Sequence, residues 1–74
     1  MSREECLEVI ADILELEVTD LSEEMELNNI DTWDSIAVLS VISIMNEKYD
    51  QYPTARQIHA NKTVGDLLTF LEGN

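Results

Sequence analysis

Apolar residues fall at Cys6, Leu7, Ile10, Ile13 and Leu14, the spacing of one helix face, while Glu4, Glu8, Asp12 and Glu15 take the other side. Ser2 and Glu5 stand just before them in the S-x-x-E pattern of a capping box, which predicts a first helix from about Arg3 to Leu16. Between Glu17 and Asp34 the period lapses. Val18, Leu21, Met25, Leu27 and Ile30 remain as spaced apolar anchors among acids and asparagines, the pattern of a long connection packed onto a core rather than a disordered linker.

From Ser35 to Asn46 the run SIAVLSVISIMN holds no ionisable side chain, in a chain that is 27% charged. Projected at about 100° per residue, Val38, Val41, Ile42, Met45 and Tyr49 share one side of a helix expected from Ser35 to about Tyr49. Ile36, Ser40, Ser43 and Glu47 cluster opposite, with Ala37, Leu39 and Ile44 between. The outer face is therefore mild in polarity, with serines where charges are expected and one isoleucine at its head. Pro53 disfavours helix at Tyr52, and Thr54 to about His59 can form one short helical turn. Thr63-Val64-Gly65-Asp66 opens a last helix whose Val64, Leu67, Leu68 and Leu71 share a face, with Phe70 at its flank and Gly73 beyond its end. No alternating strand pattern is present. The expected fold is all-α, a small four-helix bundle of three main helices and one short one.

Composition bounds what such a bundle can do. Seventy-four residues make one domain, 1–74, which buries only about 60% of its unfolded surface. Cys6 is the single cysteine, so no internal disulfide is available, and a lone thiol suits a reducing compartment. The first twenty residues are rich in acids where a secretory signal needs a basic start. The uncharged run of twelve residues is short of the roughly 20 that span a bilayer. The expected location is the cytoplasm, and the expected state is a monomer.

Sixteen acids against four bases give a net charge of −12, which repels nucleic acid and anionic membrane and steers the protein toward basic patches on protein partners. Twelve of the sixteen acids lie at or before Asp34, which sets the second helix apart from everything before it. A mimic of nucleic-acid charge, the rival acidic-module reading, would array acids along the second helix as well.

Ser35 stands at the mouth of that uncharged helix and admits three readings. Asp34 or Ser35 can cap the helix by accepting a backbone N–H that has no intrahelical partner. A catalytic serine fares badly: its neighbours Trp33, Asp34, Ile36 and Ala37 include none of the glycines of a G-x-S-x-G elbow, and no residue pair has recognisable catalytic spacing. The third reading makes Ser35 the substrate of another enzyme, since a helix N-terminus favours a phosphate attached there. Other candidates are weaker. Cys6 and Met45 read as core residues, and His59 as a surface histidine. Trp33 reads as an aromatic closing the top of the bundle. Asp31 and Asp34 lack the pattern of an EF-hand, and no metal ligand set is assigned.

Asp34-Ser35-Ile36 resembles the D-S-L signature of acyl carrier proteins and their peptidyl carrier relatives. The resemblance continues through Tyr49-Asp50, Tyr52-Pro53 and Thr63-Val64-Gly65-Asp66-Leu67 and covers nearly the whole chain. It implies a carrier that is not an enzyme, with a covalent 4′-phosphopantetheine on Ser35. A phosphopantetheinyl transferase would install the arm from coenzyme A with magnesium, and the arm's thiol would hold acyl or aminoacyl groups as thioesters. The implied partners are that transferase, an acyl- or aminoacyl-loading ligase and downstream acyl-transferring enzymes, meeting the protein at Asp34, Ile36, Ser40, Ser43 and Glu47. Fatty-acid carriers show several acids on the outer face of the second helix. Here Glu47 is the one acid there beyond Asp34, and Arg56 stands in the short stretch after Pro53. That difference favours a stand-alone carrier of a specialised pathway (polyketide, nonribosomal peptide or cell-surface polymer) over one for primary fatty acid synthesis.

Overall fold

In the computed structural model, which describes residues 2–73, the Ser2 hydroxyl accepts the Glu5 backbone N–H at 3.1 Å and opens helix α1, Arg3–Leu14. The helix stops two residues before the expected end. Glu15 adopts a left-handed backbone, φ 59°, and the Leu16 N–H closes back on the Ala11 carbonyl at 2.9 Å. That reversal turns Leu16 against the core, where it is half-buried, instead of carrying it further along the helix.

The connection to the next helix is packed, as its anchors predict, and contains two single turns of 3-10 helix, Val18–Asp20 and Leu27–Asn29. Leu21, Leu27 and Ile30 are buried and Met25 lies against the core. Val18 is not an anchor. It is 39% exposed, because the first of the two turns lies outside the core and buries none of its three residues.

Helix α2 runs Ser35–Lys48 with Tyr49 as its cap, and Asp50, at φ 53°, turns the chain away. Helix α3, Ala55–His59, starts from a reciprocal capping box in which Thr54 and Gln57 exchange bonds of 2.9 and 3.1 Å. Helix α4, Val64–Glu72, starts from a second such box between Thr63 and Asp66, and Gly73 caps its end. Among the described residues there is no strand, and no helix is long and apolar enough to cross a membrane. One isolated bridge, Glu26 with Thr63, and backbone bonds from Val64 to Met25 (2.9 Å) and from Gly65 to Glu23 (3.0 Å) tie the connection to the start of α4. A Cβ at residue 65 would meet the Glu23 carbonyl oxygen and Cβ at 3.0 Å, so glycine is what lets these two backbones approach.

α1 packs against both α2 and α4, and α2 also against α3. Cys6, Ile10 and Leu14 of α1 meet Val38, Val41 and Met45 of α2, Ile58 of α3, and Val64, Leu67, Leu68 and Leu71 of α4 in one core, joined by Leu27 from the connection. Burial pushes the Cys6 thiol above its ordinary range, so it is held as a protonated apolar filler.

The acidic surface is pinned at one point. The Arg3 guanidinium pairs with both Glu23 and Glu72 and donates to Thr69 Oγ1 at 3.2 Å, joining α1, the connection and α4. The bond from Arg3 holds the Glu23 carboxyl below its ordinary value of 4.5. A depressed carboxylate contributes stability that is whole above that ordinary value and is lost as pH falls through the folded-state value. Arg3→Gln is therefore expected to lower the melting temperature at pH 7, with the difference from wild type shrinking both in high salt and toward pH 3. Thermal unfolding followed by circular dichroism across pH and ionic strength checks this.

Candidate functional site

The N-terminus of α2 is organised by Asp34, not by Ser35. Asp34 has an extended backbone, and its Oδ1 accepts the Ala37 N–H at 2.9 Å while its carbonyl accepts the Val38 N–H at 3.1 Å. Ser35 is the first helical residue. Its side chain is exposed, and among the described residues its hydroxyl has no hydrogen-bond partner. Of the two caps left open by the sequence, the aspartate is the one used, because it is the last extended residue and the serine is already helical. The division releases the serine hydroxyl from structural duty.

Trp33 and Ala37 flank this point from the inside. Ala37 is buried, and Trp33 is half-buried against the core, with its backbone N–H donated to the Ile30 carbonyl at 3.0 Å. The connection therefore delivers Asp34 and Ser35 from a packed base, and the site is an exposed hydroxyl on a fixed stem. His59 is exposed at the last residue of α3, as expected of a surface histidine.

The outer face of α2 carries Ile36, Ser40, Ser43 and Glu47, as its projection predicts. Ile36 is 71% exposed, Ser43 and Glu47 are exposed, and Ser40 is half-buried with its hydroxyl donated back to the Ile36 carbonyl at 3.0 Å. The structure adds Leu39, 62% exposed beside them. The projection places Leu39 between the two faces, as it does the buried Ala37. Only the positions of α1 and α3 against α2 decide that one is covered and the other is open. The exposed face thus opens with two large aliphatic side chains rather than one.

Beside Ser35, α1, the connection and α2 enclose a shallow groove of about 270 Å³ lined by Ile13, Glu15, Asp31, Thr32, Asp34, Ile36, Ala37 and Ser40. Ile13, Glu15 and Thr32 were not candidates from the sequence, and Asp31 was weighed there only with Asp34 as a cation ligand. Glu15 and Asp31 are sixteen residues apart and meet only because α1 ends where α2 begins. A second cleft, of about 260 Å³ between Tyr52, Pro53, Phe70 and Leu71, lies at the other end of α2, about 20 Å along the helix from Ser35. Among the described residues no group of three or more His, Cys, Asp or Glu side chains is placed to hold a metal ion.

A protein-family model described as "Phosphopantetheine attachment site" matches residues 5–71 of the chain. No curated protein matches it.

Proposed function

The chain belongs to the phosphopantetheine attachment site family and is a non-catalytic carrier with a covalent 4′-phosphopantetheine arm; from this premise we infer that Ser35 is the residue that bears the arm. A phosphopantetheinyl transferase modifies the protein, and loading and transferring enzymes exchange cargo with it. The observation that carries Ser35 is its exposed hydroxyl, without a hydrogen-bond partner among the described residues, at the first residue of α2.

The residues present fit the group. The hydroxyl is open to solvent, so a phosphodiester formed there displaces nothing from the core. The positive end of the α2 dipole lies at the attachment point and favours the new negative charge. Attachment would replace the Ser35 O–H by an O–P bond to the pantetheine-side phosphorus of coenzyme A, with the pyrophosphate bond broken. The nucleotide half would leave with that bond's electrons, and the serine proton would pass to a base of the transferase or to solvent. Asp34 holds the first turn of α2 in place throughout, because its cap bond does not involve the reacting oxygen. When bound, the arm supplies a thiol that holds an acyl or aminoacyl group as a thioester. Tethering keeps that cargo near a docked active site at an effective concentration of about millimolar.

We further place the protein as a dedicated carrier in a specialised pathway of polyketide, nonribosomal peptide or cell-surface polymer type. What supports this is the α2 face, where Ile36, Leu39, Ser40 and Ser43 precede a single acid, Glu47. An enzyme of fatty acid synthesis that reads acids on this face finds one. Asp34, Ile36, Ser40, Ser43 and Glu47 are then the contacts of the partners that do fit.

Intact-protein mass spectrometry after incubation with coenzyme A, magnesium and a broad-specificity phosphopantetheinyl transferase tests the attachment. A gain of one phosphopantetheine, mapped to Ser35 by fragmentation, is the expected result, and a gain mapped to another residue overturns the assignment. For the pathway, Ser40→Glu and Ser43→Glu are expected to speed acylation by an acyl–carrier-protein synthetase of fatty acid synthesis several-fold. Rates equal to those of the unsubstituted carrier would remove the argument from the bare α2 face.

A further inference from the structure

We propose that the groove between α1 and α2 beside Ser35 receives a basic side chain of the phosphopantetheinyl transferase, with Glu15 and Asp31 as specificity-determining contacts. The proposal rests on Ser35 as the attachment residue and adds a second edge, contributed by α1 and the connection, to the docking face on α2.

The groove has an apolar inner side and a carboxylate rim. Ile13 and the buried Ala37 give its inner side, the exposed Ile36 stands at its edge, and Glu15, Asp31 and Asp34 line it as well. None of the residues lining it is basic. Of the four bases in the chain, Arg3 is committed to Glu23 and Glu72, and Lys48, Arg56 and Lys62 belong to the far end of α2, to α3 and to the turn before α4. The rim charge is thus left for a partner to neutralise.

Shape and spacing restrict that partner group. The groove, of about 270 Å³, is shallow and open to solvent, so it suits one side chain laid into it better than a small molecule that has to be enclosed. Among the described residues the acids are not gathered closely enough to hold a bare metal ion. A lysine or arginine fits both constraints, because its methylene stem covers aliphatic surface while its charged head stays at the polar rim.

Position identifies which partner. Asp34 and Ile36, the two neighbours of Ser35, both line the groove. An enzyme that acts on the Ser35 hydroxyl itself has to bring its active site over that point and so covers the groove. Enzymes that act later meet the cargo at the far end of the arm and need to cover only the α2 side of the groove, Asp34, Ile36 and Ser40, without reaching Glu15 and Asp31.

The test compares steady-state phosphopantetheinylation of wild type, Glu15→Gln/Asp31→Asn and Glu4→Gln/Glu8→Gln, using coenzyme A and a broad-specificity transferase at several salt concentrations. The two double variants lose the same charge, but Glu4 and Glu8 lie on α1 outside the groove. Circular dichroism confirms that each is folded. The groove variant is expected to raise KM for the carrier three- to tenfold with kcat within twofold of wild type, and to flatten the dependence of KM on salt, as loss of a rim charge pair does. The control pair is expected to change KM less than about twofold. Equal effects of the two pairs mean that overall charge alone steers docking and overturn the proposal, as does a groove variant indistinguishable from a normally modified wild type. A wild type that never gains mass overturns the Ser35 assignment, and the groove with it.

Discussion

Ser35→Ala is expected to abolish the gain of one phosphopantetheine completely while leaving the fold intact. The two effects separate because the serine does no structural work: it is exposed, and its hydroxyl has no partner among the described residues. Removing such a surface hydroxyl shifts stability by no more than about 0.5 kcal/mol. Asp34→Ala should behave in the opposite way. It removes the bond of 2.9 Å to the Ala37 N–H, and loss of an N-cap costs about 1 kcal/mol, a fall of roughly 4–8 °C in melting temperature for a domain of this size. Its serine remains, so modification should continue, at a rate reduced by fraying of the first turn of α2. Mass spectrometry and thermal unfolding on the two variants read out both properties. Residual modification of Ser35→Ala would place the arm elsewhere, and a large loss of stability in that variant would mean that the serine is a cap after all. Cys6 does not confuse the mass measurement in the native protein, because its thiol is buried and protonated.

The second large effect is expected at Ile58. Helix α3 has five residues, and Ile58 is the buried one among them. A helix that short is not stable by itself, so its place in the fold depends on that side chain and on the Thr54–Gln57 capping box. Ile58→Ala removes a fully buried branched side chain, which costs about 2–5 kcal/mol. A domain of this length has a total of about 4–11 kcal/mol, so the loss takes a large fraction of it. Urea unfolding should show a lower midpoint, and amide hydrogen exchange should show the α3 amides losing protection before those of α1 and α4. A loss under about 1 kcal/mol would show that the caps rather than the core hold α3. Because α3 packs on α2, its release would also uncover one flank of the docking face and raise the KM of modification.

Much of this was legible from the chain because the signals are local. Ser2 with Glu5 and Thr63 with Asp66 announce helix starts through bonds that span three residues. The Ser2 hydroxyl takes the Glu5 N–H, and the second pair forms the full reciprocal box, while the Thr54–Gln57 box at α3 was not read from the chain. The apolar period of α4 names its four buried residues, since a helix face is set by rotation alone. That of α1 names Cys6, Ile10 and Leu14, although Leu7 and Ile13 are only half-buried and Ala11, which it did not name, is covered. The start of α2 follows from a charged, polar segment giving way to an uncharged one. Where local rules leave two solutions, the outcome differs from expectation or could not be chosen. α1 ends early because Glu15 turns left-handed to bring Leu16 onto a core that local sequence does not contain. Val18 looks like its neighbouring anchors, yet its turn lies outside that core.

The sequence by itself determined an all-α carrier with a serine at the mouth of an uncharged helix, because helix period, capping and the Asp34-Ser35-Ile36 signature all act within a few residues. The tertiary structure decided which of Asp34 and Ser35 caps α2, that Leu39 is open while Ala37 is covered, and that Glu15, Asp31 and Asp34 share one groove. Each of these depends on where one helix sits against another. Such placement is settled by packing between residues far apart in the chain, and no window of sequence carries it.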